Sequence, residues 1–273
     1  MPGKLYVVGT PIGNLSDFSP RAIETLKTVD IIAAEDTRVT AKLLNKFEIN
    51  TPLVSYHEHN LQKQGPWLVN RILAGEACAL VTDAGMPAIS DPGEQLVRLC
   101  HENGIGVESV PGPSALVTAL AISGMPSKRF CFEGFLSHSR PRRLEHLESL
   151  KNEPRTMIFY EAPHKLPQTL KDMLEVLGDR NIAIVKELTK IHEEVTRTTL
   201  SLAAAQYDGQ KPKGEYVLIV EGAPQQAKPA DIEEAVELAR GFMQSGMPAS
   251  AAAKEAAAAT GHKKGEIYSR LVK

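Results

Sequence analysis

Residues 79–93 read ALVTDAGMPAISDPG. A short apolar run, Ala79–Thr82, opens into a loop holding Asp83, Gly85, Pro87, Asp91, Pro92 and Gly93, and Glu94–Asn103 resumes with helical spacing. A short apolar run bounded by turn residues reads as a buried strand, and the helix after it as a crossover. The loop carries more special residues than a turn needs. Ligands of open parallel sheets sit just outside the carboxyl ends of the strands, where this loop falls. Asp83 is placed to accept from a ligand amine or hydroxyl, and Ala84 and Gly85 leave room for a flat group.

The same unit recurs on both sides. Lys4–Val8, Ile31–Ala34, Leu53–Ser55 and Gly106–Val110 are further apolar runs, and Arg21–Thr28, Thr40–Phe47, Leu61–Leu73 and Ser114–Ser123 carry helical spacing. This rhythm predicts an α/β domain over 1–123, a mostly parallel sheet covered by helices. After Gly124 the strands Phe130–Phe135, Thr156–Tyr160, Ile182–Lys186, Glu194–Leu200 and Tyr216–Glu221 are broken by only two clear helices, Arg142–Leu150 and Leu166–Leu177. A second, mixed-sheet α/β domain is expected over 124–224. Ala223–Pro229 reads as a linker, and 230–273 as a small helical C-terminal extension. There Asp231 and Ser250 are expected to cap helices, Gly261 to end one, and Glu266–Val272 to form the last, with the spacing of a helix-turn-helix.

The chain has 273 residues, 42% of them hydrophobic, enough for a substantial core. The net charge of -2 weakens a nucleic-acid reading without excluding it, because local basic clusters can bind RNA on a neutral protein. Cys78, Cys100 and Cys131 are odd in number and lack a CxxC pair, so reduced thiols are expected and no metal site. No leader pattern and no membrane-length apolar run is present, which predicts a soluble, cytoplasmic chain.

Other loops at strand ends carry chemistry. GTPIGN (Gly9–Asn14) is either a tight β-to-α turn or a backbone cradle. In AEDTRVT (Ala34–Thr40), Glu35, Asp36 and Arg38 taken alone read first as a surface ion pair with Asp36 or Thr37 as a helix cap, and second as groups that bind or polarise a hydroxyl. SYHEHN (Ser55–Asn60) pairs His57 with His59 but offers no third metal ligand, so contact with a substrate is favoured. VPGPSA (Val110–Ala115) is a stiff turn that allows close approach at Gly112. FYEAPHKL (Phe159–Leu166) and KGEYVLIVEG (Lys213–Gly222) repeat the theme, and Phe159 or Tyr160 either covers a ring or belongs to the core.

Taken in order, these segments resemble the tetrapyrrole-methylase superfamily, and within it the branch that methylates a ribose 2′-hydroxyl of a cytidine in 16S ribosomal RNA. EDTR, SYHEHN and DAGMPAISDPG together are the specific part. The resemblance implies an S-adenosyl-L-methionine cofactor in a cleft between two α/β domains, touching Pro11, Asp83, Gly85, Ile89, Ser90, Tyr160, Ala162, Gly214, Glu215 and Tyr216. It also implies a homodimer, with 16S rRNA or the small ribosomal subunit as partner.

Methyl transfer from a sulfonium needs alignment, exclusion of water and an acceptor for the hydroxyl proton. Asp36 and Glu35 are the first candidates, with Arg38 orienting them or a phosphate; Lys186 and Glu187 are the second set. RNA contacts are expected from Lys128–Arg129, from Arg140, Arg142 and Arg143, from Arg155, and from the tail's Lys254, Lys263, Lys264 and Arg270. The tail serves equally well as a packing element. A tetrapyrrole or precorrin methyltransferase, and a non-catalytic RNA-binding assembly module, are the alternatives.

Overall fold

A computed structural model describes residues 3–224 and 231–272. Of the expected linker, residues 225–229 lie outside the described residues. The chain forms two compact units, one running to Ala223 and one beginning at Pro224.

The first unit holds two five-stranded sheets. Strands β1 (Lys4–Val8), β2 (Ile31–Ala34), β3 (Leu53–Ser55), β4 (Cys78–Val81) and β5 (Gly106–Val110) pair in the order β3-β2-β4-β1-β5, all parallel. All residues of β2 and β4 are buried, as continuous apolar runs in a doubly covered sheet require. Helices α1 (Pro20–Thr28) and α2 (Thr37–Lys46) cover one face through Ala22, Leu26 and Leu44. Helices α3 (Leu61–Leu73) and α4 (Glu94–Glu102) cover the other through Leu68, Ile72, Leu96 and Cys100.

Helix α5 (Ala115–Ser123) leaves the first sheet and lays Ala119 and Leu120 on the second, against Ile158, Ala183 and Ile219. That sheet comprises β6 (Phe130–Phe135), β7 (Thr156–Glu161), β8 (Asn181–Lys186), β9 (Glu194–Thr199) and β10 (Tyr216–Val220), in the order β6-β7-β10-β8-β9. Only β6 and β7 are parallel, so the sheet is mixed. β10 is central and buried throughout. The register of β6 on β7 shifts between Phe132 and Gly134, a bulge that turns Phe135 outward. Helices α6 (Arg140–Ser149), α7 (Leu166–Leu177) and α8 (Leu200–Tyr207) complete the unit. The sequence reading missed α8: it starts directly at the end of β9, with Thr199 as both last strand residue and N-cap.

In the second unit α9 (Ile232–Gln244), α10 (Ala249–Thr260) and α11 (Lys264–Leu271) pack through small residues, Ala235, Ala239, Ala252, Ala253 and Ala256, around Ile267. Asp231 caps α9 through its side chain, and Gly261 ends α10 in the left-handed conformation. Ser250 does not cap α10: the helix begins at Ala249 with Pro248 as N-cap, because proline supplies the entry angle without a side-chain bond.

Candidate active site

The loops at the carboxyl ends of β1, β4 and β5 are locked together by their backbones. Thr10 and Gly85 exchange N–H···O bonds of 2.9 and 3.1 Å, and the Thr10 hydroxyl donates to the Thr82 carbonyl at 3.2 Å. A Cβ on Gly9 would stand 2.7 Å from the Gly112 Cα, so two glycines are needed where GTPIGN crosses VPGPSA. Within the Thr82–Gly93 loop, Ala88 and Ser90 both take φ of 67°, an uncommon conformation for residues with side chains. The strain turns Ile89, Ser90 and Asp91 toward the second sheet.

A crevice of about 350 Å³ opens between these loops and the second sheet. The first sheet supplies Ile12, Ala84–Met86, Ile89–Asp91 and Ser114–Ala115. The second supplies Phe135, Tyr160–Pro163, Val185, Leu188 and Glu215–Val217. Of the expected cofactor residues, Gly85, Ile89, Ser90, Tyr160, Ala162, Glu215 and Tyr216 stand in its wall; Pro11, Asp83 and Gly214 lie outside the lining. Phe159 is core and Tyr160 faces the crevice, as neighbours on a strand must part. The Tyr160 hydroxyl accepts from the Leu116 N–H at 3.0 Å, and its ring meets Phe132 and Phe135 edge-on. Glu161, 2% exposed, accepts from the Ala162 N–H, the Thr169 hydroxyl and Lys165 Nζ, which fixes the Ala162 lip.

Glu35, Asp36 and Arg38 stand beside the crevice rather than in its wall. Asp36 caps α2, and its carboxylate takes Arg38 Nε at 3.0 Å and Nη2 at 2.6 Å. Those bonds hold it far below the usual carboxylate range, which makes it a weak base. Glu35 moves the other way, raised by burial first and then by its carboxylate neighbours. Burial likewise raises Asp83, whose N–H points at Glu35 Oε2 from 3.5 Å. Asp91 is pushed up to about 7, by burial and then by Glu35 and Asp83.

Beyond Ser90 and Asp91 lies a second cavity of about 400 Å³, formed by Glu58, the first turn of α3 and the first turns of α4. The His57–His59 rings meet edge-on at 5.9 Å, and Asn60 braces the loop by accepting from the His57 N–H and donating to the Ser55 carbonyl. Among the described residues, no group of three His, Cys, Asp or Glu is arranged to hold a metal.

Glu187, in the second candidate set, is engaged by Lys190 at 2.9 Å and by the Glu215 N–H at 3.0 Å; the Lys190 bond in particular lowers its carboxyl. Gly214 takes φ of 94° there, a conformation that strains any residue with a Cβ. Among the expected RNA-binding cations, Arg143 is buried and bonded to Asp172, Arg140 is shared between Asp172 and Glu175, and Arg155 is paired with Glu153. The run of arginines is thus spent on holding α6 to α7; Arg142, Lys128 and Arg129 remain exposed, as do Lys254, Lys263, Lys264 and Arg270. Cys78, Cys100 and Cys131 are free.

Sequence reasoning passed over Asp91 although it quoted the loop around it, because Asp83 already filled the strand-end role. It had no signal for Phe135, which reaches the crevice only through the β6 bulge.

Residues 4–204 match the family model described as Tetrapyrrole (Corrin/Porphyrin) Methylases. Over 268 residues the chain is 47% identical to the "Ribosomal RNA small subunit methyltransferase I" of Synechocystis sp., covering 97% of this chain and 96% of that one. It is 45% identical over 271 residues to the protein of that name from Escherichia coli O157:H7, covering 97% and 93%. Its fold is similar to the crystal structure of uroporphyrin-III-C-methyltransferase from Thermus thermophilus, with a TM-score of 0.55 at 18% identity over 80% of this chain and 94% of that one.

Proposed function

Because this chain belongs to the tetrapyrrole (corrin/porphyrin) methylase family, in the branch that carries the name ribosomal RNA small subunit methyltransferase I, we propose that it methylates the 2′-hydroxyl of a cytidine in 16S rRNA. Near full-length correspondence with relatives of that name carries the reading. Its methyl donor is S-adenosylmethionine. The crevice fits a molecule of that kind: its volume lies within the ~300–1,000 Å³ of small-ligand pockets, its wall is largely apolar, and Gly85 leaves a gap where a side chain would intrude.

When bound, the donor supplies an electrophilic methyl group on a sulfonium, whose displacement leaves a neutral thioether. The chain's residues do the rest. Tyr160, Ala162 and Tyr216 wall the crevice from one side, and Gly85, Ile89 and Ser90 from the other. Glu215 edges its rim. Pro11, Asp83 and Gly214 shape the loops that present these groups. The acidic ends of β2 and β4 favour a cation nearby, since it relieves the carboxylate repulsion that adds to burial in raising Glu35 and Asp91. Glu35 accepts a hydrogen bond from the incoming sugar, Asp36 fixes the turn, and Arg38, 87% exposed in its side chain, offers its remaining donors to a phosphate.

Exposed Val117 and Ile122 on α5 support a homodimer. No helix among the described residues is long and apolar enough to cross a membrane. A cytoplasmic location is part of this reading, as the compartment of the proposed ribosomal substrate. Labelled donor incubated with small ribosomal subunits, and separately with uroporphyrinogen, tests the reading. A single 2′-O-methylcytidine in mass-mapped 16S rRNA is expected. Label on the tetrapyrrole, or on a base, would overturn it.

A further inference from the structure

Three carboxylates stand in the crevice wall, and two are already spent. Glu161 is bonded to Lys165, Thr169 and the Ala162 N–H. Glu215 is paired with Lys190. The third, Asp91, makes no hydrogen bond or ion pair to any described residue. Asp91 also belongs, with Ser90, to both cavities, so it stands where a group held in one meets a group held in the other.

The second cavity differs in chemistry from the first. Its wall offers carboxylates at Glu58 and Glu94, amides at Gln62 and Gln95, and the guanidinium of Arg98. A nucleotide presents matching groups: base edges that pair with amides and carboxylates, and a phosphate for the arginine. We propose that the acceptor nucleotide sits in this second cavity and that Asp91, in the shared wall, receives the proton of its hydroxyl. The proposal rests on the methyltransferase reading above and adds the residue and the seat.

The step balances. The hydroxyl oxygen forms a bond to the methyl carbon as the carbon–sulfur bond breaks, the thioether leaves neutral, and the hydroxyl proton passes to a carboxylate oxygen of Asp91 and then to solvent. Asp91 fits the task because a base works best when its pKa lies near the working pH, and burial with Glu35 and Asp83 nearby lifts its carboxyl. The titratable and charged groups around it are Glu35 and Asp83 at the ends of β2 and β4, Glu58 after β3, Glu94 and Arg98 on α4, and Tyr160 on β7.

The test uses full-length enzyme, small ribosomal subunits and S-adenosylmethionine under single-turnover conditions from about pH 5.5 to 9. Wild type is expected to show a rate that rises with one inflection and then levels. Asp91→Asn is expected to lose ~100-fold or more in rate together with the inflection, with Asp91→Glu recovering part of both. Calorimetry should find cofactor affinity within about tenfold of wild type in both variants. Gln95→Trp, which fills the second cavity, is expected to raise the KM for subunits by at least about tenfold with cofactor binding intact. An Asp91→Asn enzyme that keeps its rate within about threefold, or keeps the inflection, overturns the assignment of Asp91. An unchanged KM in Gln95→Trp overturns the seat. If wild type labels no ribosomal RNA at all, the functional reading itself fails, which separates the two.

Discussion

The Asp83 carboxylate accepts a hydrogen bond from the Asp36 backbone N–H at 3.1 Å, tying the carboxyl end of β4 to that of β2. The bond aligns the AEDTR and DAG loops, so each side chain there depends on a neighbour's backbone. Asp83→Ala is expected to lower stability by about 0.5–1 kcal/mol, the net worth of a solvent-exposed hydrogen bond. It should also weaken cofactor binding at least about tenfold through displacement of the Gly85 loop. Urea midpoints and calorimetry check both; unchanged cofactor affinity would mean that the loop holds its shape without the tie.

Asp36 caps a helix and clamps Arg38, and its carboxyl is held low. Asp36→Asn retains a capping oxygen and is expected to slow methylation by less than about tenfold, whereas Asp36→Ala lowers the melting temperature as well. Complete loss of turnover in Asp36→Asn, with cofactor binding intact, would return the proton-accepting role to Asp36.

Asp91 links stability to pH in an unusual sense. Its carboxyl is pushed up to about 7 in the folded chain, chiefly by burial, from an ordinary value of 3.8. Folding then takes up a proton, so stability falls as pH rises through that window. Asp91→Asn is expected to exceed wild type in stability above about pH 7, by about 1–2 kcal/mol once solvent screening of this half-buried group is discounted, and to match it below about pH 4. Equal unfolding midpoints at both ends would show that the folded chain bears Asp91's charge without cost.

Burial alone would raise the carboxyl of Asp172, but donors from Arg143, Gln168 and Arg140 outweigh it and hold the group below its usual range. This stabilisation is full above the unfolded value near 3.8 and is lost as pH falls through the lower folded one. Asp172→Ala strands the buried Arg143 and is expected to cost about 3–5 kcal/mol. Exposed Arg142 behaves differently: Arg142→Ala should leave stability within about 0.5 kcal/mol of wild type and, if it touches RNA, reduce the slope of log affinity against log salt by about one.

Gly9→Ala and Gly112→Ala each drive a methyl group into the facing backbone and are expected to cut cofactor affinity by about tenfold or more. Gly241→Ala, in the last turn of α9 with open space around it, serves as the contrast and should stabilise by about 0.5–1 kcal/mol. A tolerated alanine at Gly112 would show that the two loops can part.

Where a residue's role follows from its own segment, the sequence was readable. The unbroken apolar runs of β2 and β4 announce a doubly covered parallel sheet, and the paired aspartates, glycines and prolines of residues 83–93 announce a loop built for more than turning. Roles set by another segment were hidden. Arg143 looks like a phosphate ligand until Asp172, 29 residues on, is found beneath it. Asp36 stays open between cap and base until Arg38 is seen to fold back on it. Asp91 stands out only once Glu161 and Glu215 are seen to be occupied, which no linear pattern records.

The extra residue in β6 has an arithmetic consequence. Side chains on a strand alternate and register partners share a face, so the extra residue is what brings Phe135 opposite Tyr160. Inserting one alanine between Gly134 and Phe135 would move Phe135 opposite Glu161, on the face away from the crevice. Such a lengthened chain should still assemble its second sheet yet leave its cofactor ungripped on one flank: an intact scaffold with a missing jaw.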